Sequence, residues 1–111
     1  MPAELGSTPI RGVVELRSQA FVDARGAFLN AFRAQEQAFM GSWGNRGIAQ
    51  VNLSRSDALG TIRGLHLQVT PHSEAKLVRC LKGRMFDVAA DLRDGSATYG
   101  QWHAVELTPE R

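Results

Sequence analysis

The residues of this chain best suited to chemistry are a histidine and a lysine on neighbouring predicted strands, His66 and Lys76. An imidazole titrates near neutral pH and can move a proton, and a fixed ammonium group can stabilise a developing negative charge. Gln50 and Asn52 share one parity of a strand, and two amides on one face suit a wet cavity, a ligand or plain solvent. Taken singly, each residue is more simply a packed or solvated side chain; as a set they are candidates for a proton-transfer site.

Arg63 is a candidate for binding phosphate or carboxylate, because a guanidinium group presents a planar fork of N–H donors. It stands close before His66, at a spacing that places the two on opposite faces of a regular strand. The intervening Gly64 predicts a bulge that re-aims one of the two side chains.

The frame around His66 resembles the first metal-binding motif of the cupin barrels. Gly60, His66, Gln68, Glu74 and Gly83 follow that order, but the motif usually supplies a second histidine where this chain has Gln68. An amide is a poorer ligand for transition metals than imidazole. The frame therefore predicts a cupin-like barrel without a metal, and proton transfer alone needs no cofactor.

The elements that must position these residues are predicted to be short strands separated by turns. Apolar and polar residues alternate, and the turns contain Gly, Asp and Lys at 23–26, 57–60, 82–83 and 94–95. The predicted strands span residues 14–17, 28–32, 48–54, 61–69, 76–81, 84–93 and 99–107. Many short strands with regular turn signals indicate an all-β sandwich or barrel.

Composition and charge limit the functional classes. The 111 residues are 43% hydrophobic and 22% charged with a net charge of +2, which predicts one globular domain over residues 1–111 and no nucleic-acid partner. No apolar run approaches the roughly 20 residues of a membrane span. The single cysteine, Cys80, cannot form an internal disulfide, so we expect a cytoplasmic protein.

Several strings, taken together and in order, are far more specific than any one residue. They closely resemble the dTDP-4-dehydrorhamnose 3,5-epimerase family of cupin-fold sugar-nucleotide epimerases from residue 12 or so onward. The strings are Arg25-Gly26-Ala27-Phe28, Gln50-Val51-Asn52-Leu53-Ser54, Arg63-Gly64-Leu65-His66-Leu67-Gln68, Lys76-Leu77-Val78-Arg79-Cys80, Gly83, Phe86-Asp87-Val88-Ala89-Ala90-Asp91-Leu92-Arg93 and Tyr99-Gly100-Gln101-Trp102.

The resemblance implies a cupin-like jelly roll (double-stranded β-helix), a metal-independent homodimer, and a dTDP-4-keto-6-deoxy sugar nucleotide as substrate in dTDP-L-rhamnose synthesis. It makes His66 the catalytic base and places Lys76 at the sugar. Gln50 and Asn52 would line the site and Arg63 would bind the diphosphate. Arg25, reaching in from the partner subunit, and Phe28 would bind the nucleotide.

Two departures from the family pattern lead to further expectations. Asn30 stands where the family has a glutamate that binds the nucleotide, so the preference for base or substrate is expected to differ. The chain also stops short of the strands that in the family carry the proton-donating tyrosine and an acidic partner for the base. We therefore expect an incomplete jelly roll with weak or no activity, in which Asp87 is a candidate for orienting His66 or Lys76.

Two other functions stay open at this point. One is a truncated, inactive module that binds sugar nucleotides or dimerises. The other is a related isomerase that moves the keto group of a dTDP-keto-sugar.

Overall fold

The computed structural model describes residues 4–33, 35, 43 and 47–110. Its strands are β1 (Glu4–Ser7), β2 (Val14–Arg17), β3 (Ala20–Asp23), β4 (Gly26–Leu29), β5 (Met85–Ala90) and β6 (Trp102–Leu107). They pair as three two-stranded antiparallel sheets, β1 with β2, β3 with β4, and β5 with β6. Every element with described bounds is thus a β-strand, which confirms the all-β class.

The strands β1 and β2 are joined by a turn that is built around Thr8. The Thr8 hydroxyl lies 3.0 Å from the Ile10 carbonyl oxygen and 2.7 Å from that of Val13, and the Ile10 amide donates back to the hydroxyl at 3.2 Å. Gly12 takes a φ of +92° in this turn, a conformation that favours glycine. Ile10 is buried here, and with Cys80 it forms the apolar core of the described residues.

The strands β3 and β4 form a hairpin whose turn agrees with the prediction for residues 23–26. Asp23 pairs with Gly26 in the register, and the Asp23 carboxylate accepts a hydrogen bond from the Arg25 amide at 2.8 Å. An aspartate that binds the backbone two residues on stabilises such a turn. β4 begins at Gly26 and ends at Leu29, earlier than the predicted strand at 28–32.

The strands β5 and β6 pair from Met85 with Leu107 to Ala90 with Trp102, inside the predicted strands 84–93 and 99–107. Two backbone hydrogen bonds close the long connection between them: the Asp91 amide donates to the Gln101 carbonyl at 2.8 Å and the Gly100 amide to the Asp91 carbonyl at 2.7 Å. β5 ends at Ala90 and β6 begins at Trp102, so both strands are shorter than the predicted ones.

The chain divides into two compact units, one made of Met1–Gly44 with Val78–Arg111 and the other of Asn45–Leu77. In the second unit the structure describes residues 47–77 and assigns no strand to them. The predicted strands at 48–54 and 61–69 are therefore wrong. The predicted strand at 76–81, which crosses into the first unit, is also absent. The 82–83 segment is consequently no hairpin turn. The physical reason is that a strand exists only where another strand completes its hydrogen-bond ladder, and no described segment does so here.

The second unit instead holds local turns. The Thr61 amide donates to the Ala58 carbonyl at 3.3 Å, which confirms a turn at 57–60, and the His72 amide donates to the Val69 carbonyl at 2.7 Å. Its apolar side chains lie open: Val51 is 85% exposed and Leu53 80%. The described residues contain no helix long and apolar enough to cross a membrane.

Candidate active site

The predicted site residues fall in both units. Five exposed side chains belong to the second unit, Gln50, Asn52, Arg63, His66 and Lys76. The first unit carries Arg25, Phe28, Asn30 and Asp87.

Arg63 is held by two hydrogen bonds across the 57–60 turn. Its Nε donates to the Ser56 hydroxyl at 3.0 Å and its Nη2 donates to the Arg55 carbonyl at 2.8 Å. The Arg55 side chain forms its own ion pair, from Nε to the Asp57 carboxylate at 2.8 Å. Arg63 is consequently exposed but oriented, and Ser56 is a contributor that the sequence reasoning missed. The run Ser54-Arg55-Ser56-Asp57 directly before the turn was the signal that could have found it.

His66 lies close to the backbone of Gly64. Gly64 has a φ of +105°, and a Cβ built on it would stand 3.2 Å from the His66 Nδ1 atom. The local chain departs from a regular strand at this glycine, so the strand-parity argument that separated Arg63 from His66 does not apply. A glycine is required here both by the backbone conformation and by the space that the imidazole occupies.

Lys76, Gln50 and Asn52 are exposed, and in the described part of the chain none of them has a hydrogen-bond or ion-pair partner. An unpaired ammonium group and two unpaired amides keep all their donors available for a ligand. The predicted strand that gave Gln50 and Asn52 a common face does not form.

Arg25 lies at the tip of the β3–β4 hairpin with a side chain that is 90% exposed. Its Nη2 donates to the Asp23 carboxylate at 2.6 Å. The guanidinium group lowers the pKa of Asp23, and the carboxylate raises the pKa of Arg25. The Asp23 carboxylate thus fixes one side of the guanidinium group at an otherwise open position.

An aromatic pair lies on the same hairpin. Phe28 is 69% exposed and is the register partner of Phe21, which is 48% exposed. Aromatic side chains directly opposite each other on a two-stranded sheet form a flat apolar surface on which a nucleobase can stack. Asn30 follows the end of β4 and is exposed, so its amide is open to a ligand.

Asp87 is half-buried in β5 opposite Val105. Asp91, a second acidic residue of the same string, forms side-chain hydrogen bonds that Asp87 does not form within the described part of the chain. Its carboxylate accepts hydrogen bonds from Arg93, Ser96 and Thr98, and these bonds hold its pKa far below the usual range. The close spacing of Asp91, Arg93, Ser96 and Thr98 in the sequence could have indicated this cluster. Because Asp91 holds the β5–β6 connection together, we assign it a structural role.

His103, which lies in β6, is largely covered. Its Nε2 lies 3.8 Å from a Glu15 carboxylate oxygen, and its side chain is 24% exposed. Among the described residues no three His, Cys, Asp or Glu side chains are grouped so that they could hold a metal ion.

The chain is similar to known proteins over nearly its whole length. Residues 7–111 match the family described as dTDP-4-dehydrorhamnose 3,5-epimerase. The chain belongs to this family. The enzyme of that name from Sinorhizobium fredii is 45% identical over 104 residues, and the dTDP-4-dehydrorhamnose 3-epimerase of Streptomyces niveus is 41% identical over 98.

Solved structures of the family share the fold. The dTDP-4-dehydrorhamnose 3,5-epimerase of Bacillus anthracis was solved with TDP and pyrophosphate bound, and it superposes on this chain with a TM-score of 0.87 at 32% identity. The superposition covers 96% of this chain and 60% of the Bacillus anthracis chain. A 4-keto-6-deoxy sugar epimerase from Streptomyces spheroides gives 0.84 at 36% identity over 99% and 56%. The predicted cupin-like fold, present in part, is thereby confirmed.

The chain spans about half the length of the curated relatives that it matches. The match to the Sinorhizobium enzyme covers 94% of this chain and 52% of that enzyme. The match to the Streptomyces niveus enzyme covers 88% of this chain and 46% of that enzyme.

Proposed function

We propose that this chain acts in the reaction of its family, the epimerisation of carbons 3 and 5 of dTDP-4-dehydro-6-deoxy-D-glucose to dTDP-4-dehydro-L-rhamnose. The observation that carries the proposal is the family match over residues 7–111. That range includes every candidate site residue, and it includes both the unpaired Lys76 and the exposed His66. The Bacillus anthracis relative with TDP bound supports a thymidine nucleotide as the carrier of the sugar.

The proposed chemistry begins at the ketone on carbon 4. That carbonyl acidifies the C–H bonds at carbons 3 and 5, and the His66 imidazole takes the proton. The electron pair of the C–H bond moves to the ketone oxygen as an enolate, which the Lys76 ammonium group stabilises. Return of a proton to the opposite face of the same carbon inverts that carbon. General-base catalysis of this kind contributes roughly 10²–10⁴-fold in rate.

The nucleotide contacts use the remaining candidates. Arg63 and Arg25 bind the diphosphate through their guanidinium forks, and Phe28 supports the base. Gln50 and Asn52 donate to the sugar, and Asn30 gives the nucleotide a neutral hydrogen-bonding partner. Asp87 is the proposed orienting carboxylate. Residues 1–111 then act as one cupin-like domain, without a metal or other cofactor, in the cytoplasm.

We also propose a homodimer, in which Arg25 of each subunit binds the nucleotide held by the other subunit. The exposed apolar side chains of the second unit support it, because apolar patches of this kind mark interaction surfaces. The β3–β4 hairpin supports it as well: among the described residues each of its strands pairs only with the other, and an unpaired outer edge offers donors and acceptors to a second chain.

Proton abstraction is tested directly by deuterium exchange. The purified chain is incubated with dTDP-4-dehydro-6-deoxy-D-glucose in heavy water and followed by NMR. We expect deuterium at carbons 3 and 5, and a loss of roughly 100-fold or more in His66→Gln. His72→Gln, an exposed histidine in the 69–72 turn, is the matched control. Exchange that persists in His66→Gln contradicts the base assignment.

The same experiment separates the alternatives. Deuterium at carbon 3 alone indicates a 3-epimerase like the Streptomyces niveus relative, and a product with the keto group moved to carbon 3 indicates a ketoisomerase. No exchange together with a dTDP-induced rise in Tm indicates a binding module.

A further inference from the structure

Arg63 uses only one edge of its guanidinium group within the protein. Nε and Nη2 form the side edge, and each donates one hydrogen bond, to the Ser56 hydroxyl and to the Arg55 carbonyl. A guanidinium group has five N–H donors. The other three, on Nη1 and on the outer side of Nη2, have no partner in the part of the chain that the structure describes.

The free edge has the geometry that a phosphate group needs. Nη1–H and the outer Nη2–H are parallel, and two parallel donors bind a phosphate oxygen pair in the bidentate manner. The bound edge is occupied by Ser56 and the Arg55 carbonyl, so the Nη1–Nη2 edge is the one left for a ligand. The arrangement leaves one bidentate anion-binding edge available while the protein holds the adjacent one.

Holding the side edge matters because Arg63 is exposed. A free arginine side chain samples many rotamers, and a ligand that immobilises it must offset that lost entropy. The two hydrogen bonds select one orientation before a ligand arrives. Ser56 is the side-chain member of the pair, whereas the Arg55 carbonyl belongs to the backbone, so only the Ser56 contribution can be removed by a substitution.

We infer that Ser56 is a positioning residue that pre-orients the guanidinium group of Arg63 for the diphosphate of the nucleotide. The inference rests on the proposed function, in which Arg63 binds that diphosphate. Ser56 acts through Arg63 alone, so its effect disappears when the Arg63 side chain is absent. The effect of Ser56 should also be confined to ligands that carry phosphate and be absent with the nucleoside, because only phosphate contacts the guanidinium edge.

Calorimetric binding of dTDP and of thymidine to the wild type and five variants of the full chain tests this. We expect Ser56→Ala to weaken dTDP binding by about 5–10-fold, which corresponds to the loss of one net hydrogen bond, and to leave thymidine binding unchanged. Ser56→Thr, which keeps the hydroxyl, should restore dTDP affinity. Arg63→Ala should weaken it further, and adding Ser56→Ala to Arg63→Ala should change nothing more. Ser73→Ala, an exposed serine of the same unit, is the control.

The outcomes separate the two claims. If Arg63→Ala leaves dTDP affinity intact, or the wild-type chain does not bind dTDP, the diphosphate role of Arg63 falls and this inference falls with it. If Arg63→Ala weakens binding but Ser56→Ala behaves like Ser73→Ala, or acts equally in the Arg63→Ala background, only the positioning role is overturned.

A measurement on the ligand-free wild type guards against a Ser56→Ala chain that does not fold. The ¹⁵N-labelled Nε–H of Arg63 should give a resonance that exchanges with water at least about 10-fold more slowly than that of the exposed Arg33, since a bonded N–H is protected. Equal exchange of the two overturns the inference.

Discussion

The carboxylate of Asp91 is fully buried under the guanidinium group of Arg93. Nε of Arg93 donates to Oδ1 of Asp91 at 2.9 Å and Nη2 donates to Oδ2 at 3.0 Å, while the Asp91 side chain has 0% exposure. The hydroxyls of Ser96 and Thr98 donate to the same carboxylate. The carboxylate thereby ties together the loop that connects β5 and β6.

Asp91→Asn should therefore destabilise the protein, because the neutral amide cannot accept from all five donors, which include the Arg93 amide, and leaves buried groups unpaired. We expect Tm at pH 7 to fall by at least about 4 °C, the shift that one lost net hydrogen bond produces in a domain of this size. Thermal unfolding followed by circular dichroism measures this. Asp94→Asn, at an exposed position of the same loop, should leave Tm within about 1 °C of the wild type; an equal fall in both would show that the buried carboxylate has no special role.

The pH dependence of stability follows from the lowered pKa of Asp91. A carboxyl whose pKa is lower folded than unfolded contributes stability above its unfolded pKa of about 3.9, and this contribution is lost as pH falls below that value. Tm of the wild type should fall between pH 5 and pH 3 more steeply than Tm of Asp91→Asn. Parallel curves for the two proteins would assign the acid sensitivity to other carboxyl groups.

If His66 is the base, as proposed, Gly64→Ala should impair catalysis through its imidazole. The new Cβ would meet Nδ1 at 3.2 Å, so the ring must move, and a small misplacement of a catalytic group lowers the rate strongly. We expect deuterium exchange to slow by about 10-fold or more. Gly60→Ala is the matched control, because Gly60 has a φ of +83° with open space at its Cβ position. It carries the same backbone penalty, of order 1–2 kcal/mol, without the contact; equal slowing in both variants would remove the ring from the explanation.

Lys76→Gln should lower the rate of proton exchange by about 100-fold, since one fixed donor to a developing oxyanion contributes a few kcal/mol. The KM for the sugar nucleotide should change by less than about 3-fold, because in the proposed mechanism the ammonium group acts mainly on the enolate. Steady-state kinetics measures both. Lys82→Gln, an exposed lysine outside the proposed site, is the control. A raised KM with an unchanged kcat would instead assign Lys76 to ground-state binding.

Leu53→Asp should weaken the proposed homodimer. Burying a leucine contributes about 1.5–3 kcal/mol, so we expect the dimer dissociation constant to rise by 10-fold or more, as measured by sedimentation velocity. Ser73→Asp, at an exposed polar position of the same unit, should leave the dissociation constant unchanged. A wild-type chain that is monomeric at every concentration tested would refute the dimer.

The sequence predicted those strands that local pattern and turn chemistry specify. Alternation at residues 14–17 and the turns at 23–26 and 94–95 all correspond to observed features. β1 and β3 were not predicted, because Glu4–Ser7 and Ala20–Asp23 become strands through their pairing with β2 and β4. The strands expected at 48–54 and 61–69 fail for the converse reason: their alternation is present, but no described segment supplies the ladder.

By itself the amino-acid sequence determined the all-β class, the family, and the residue types available for proton transfer and phosphate binding, because these depend on side-chain chemistry and on patterns read along the chain. Only the tertiary structure decided that Ser56 holds Arg63, that Gly64 makes room for the His66 ring, and that Asp91 is buried under Arg93. Each of those relationships depends on where a side chain points after the backbone has turned, and a turn's dihedral angles change that direction without changing the spacing in the sequence.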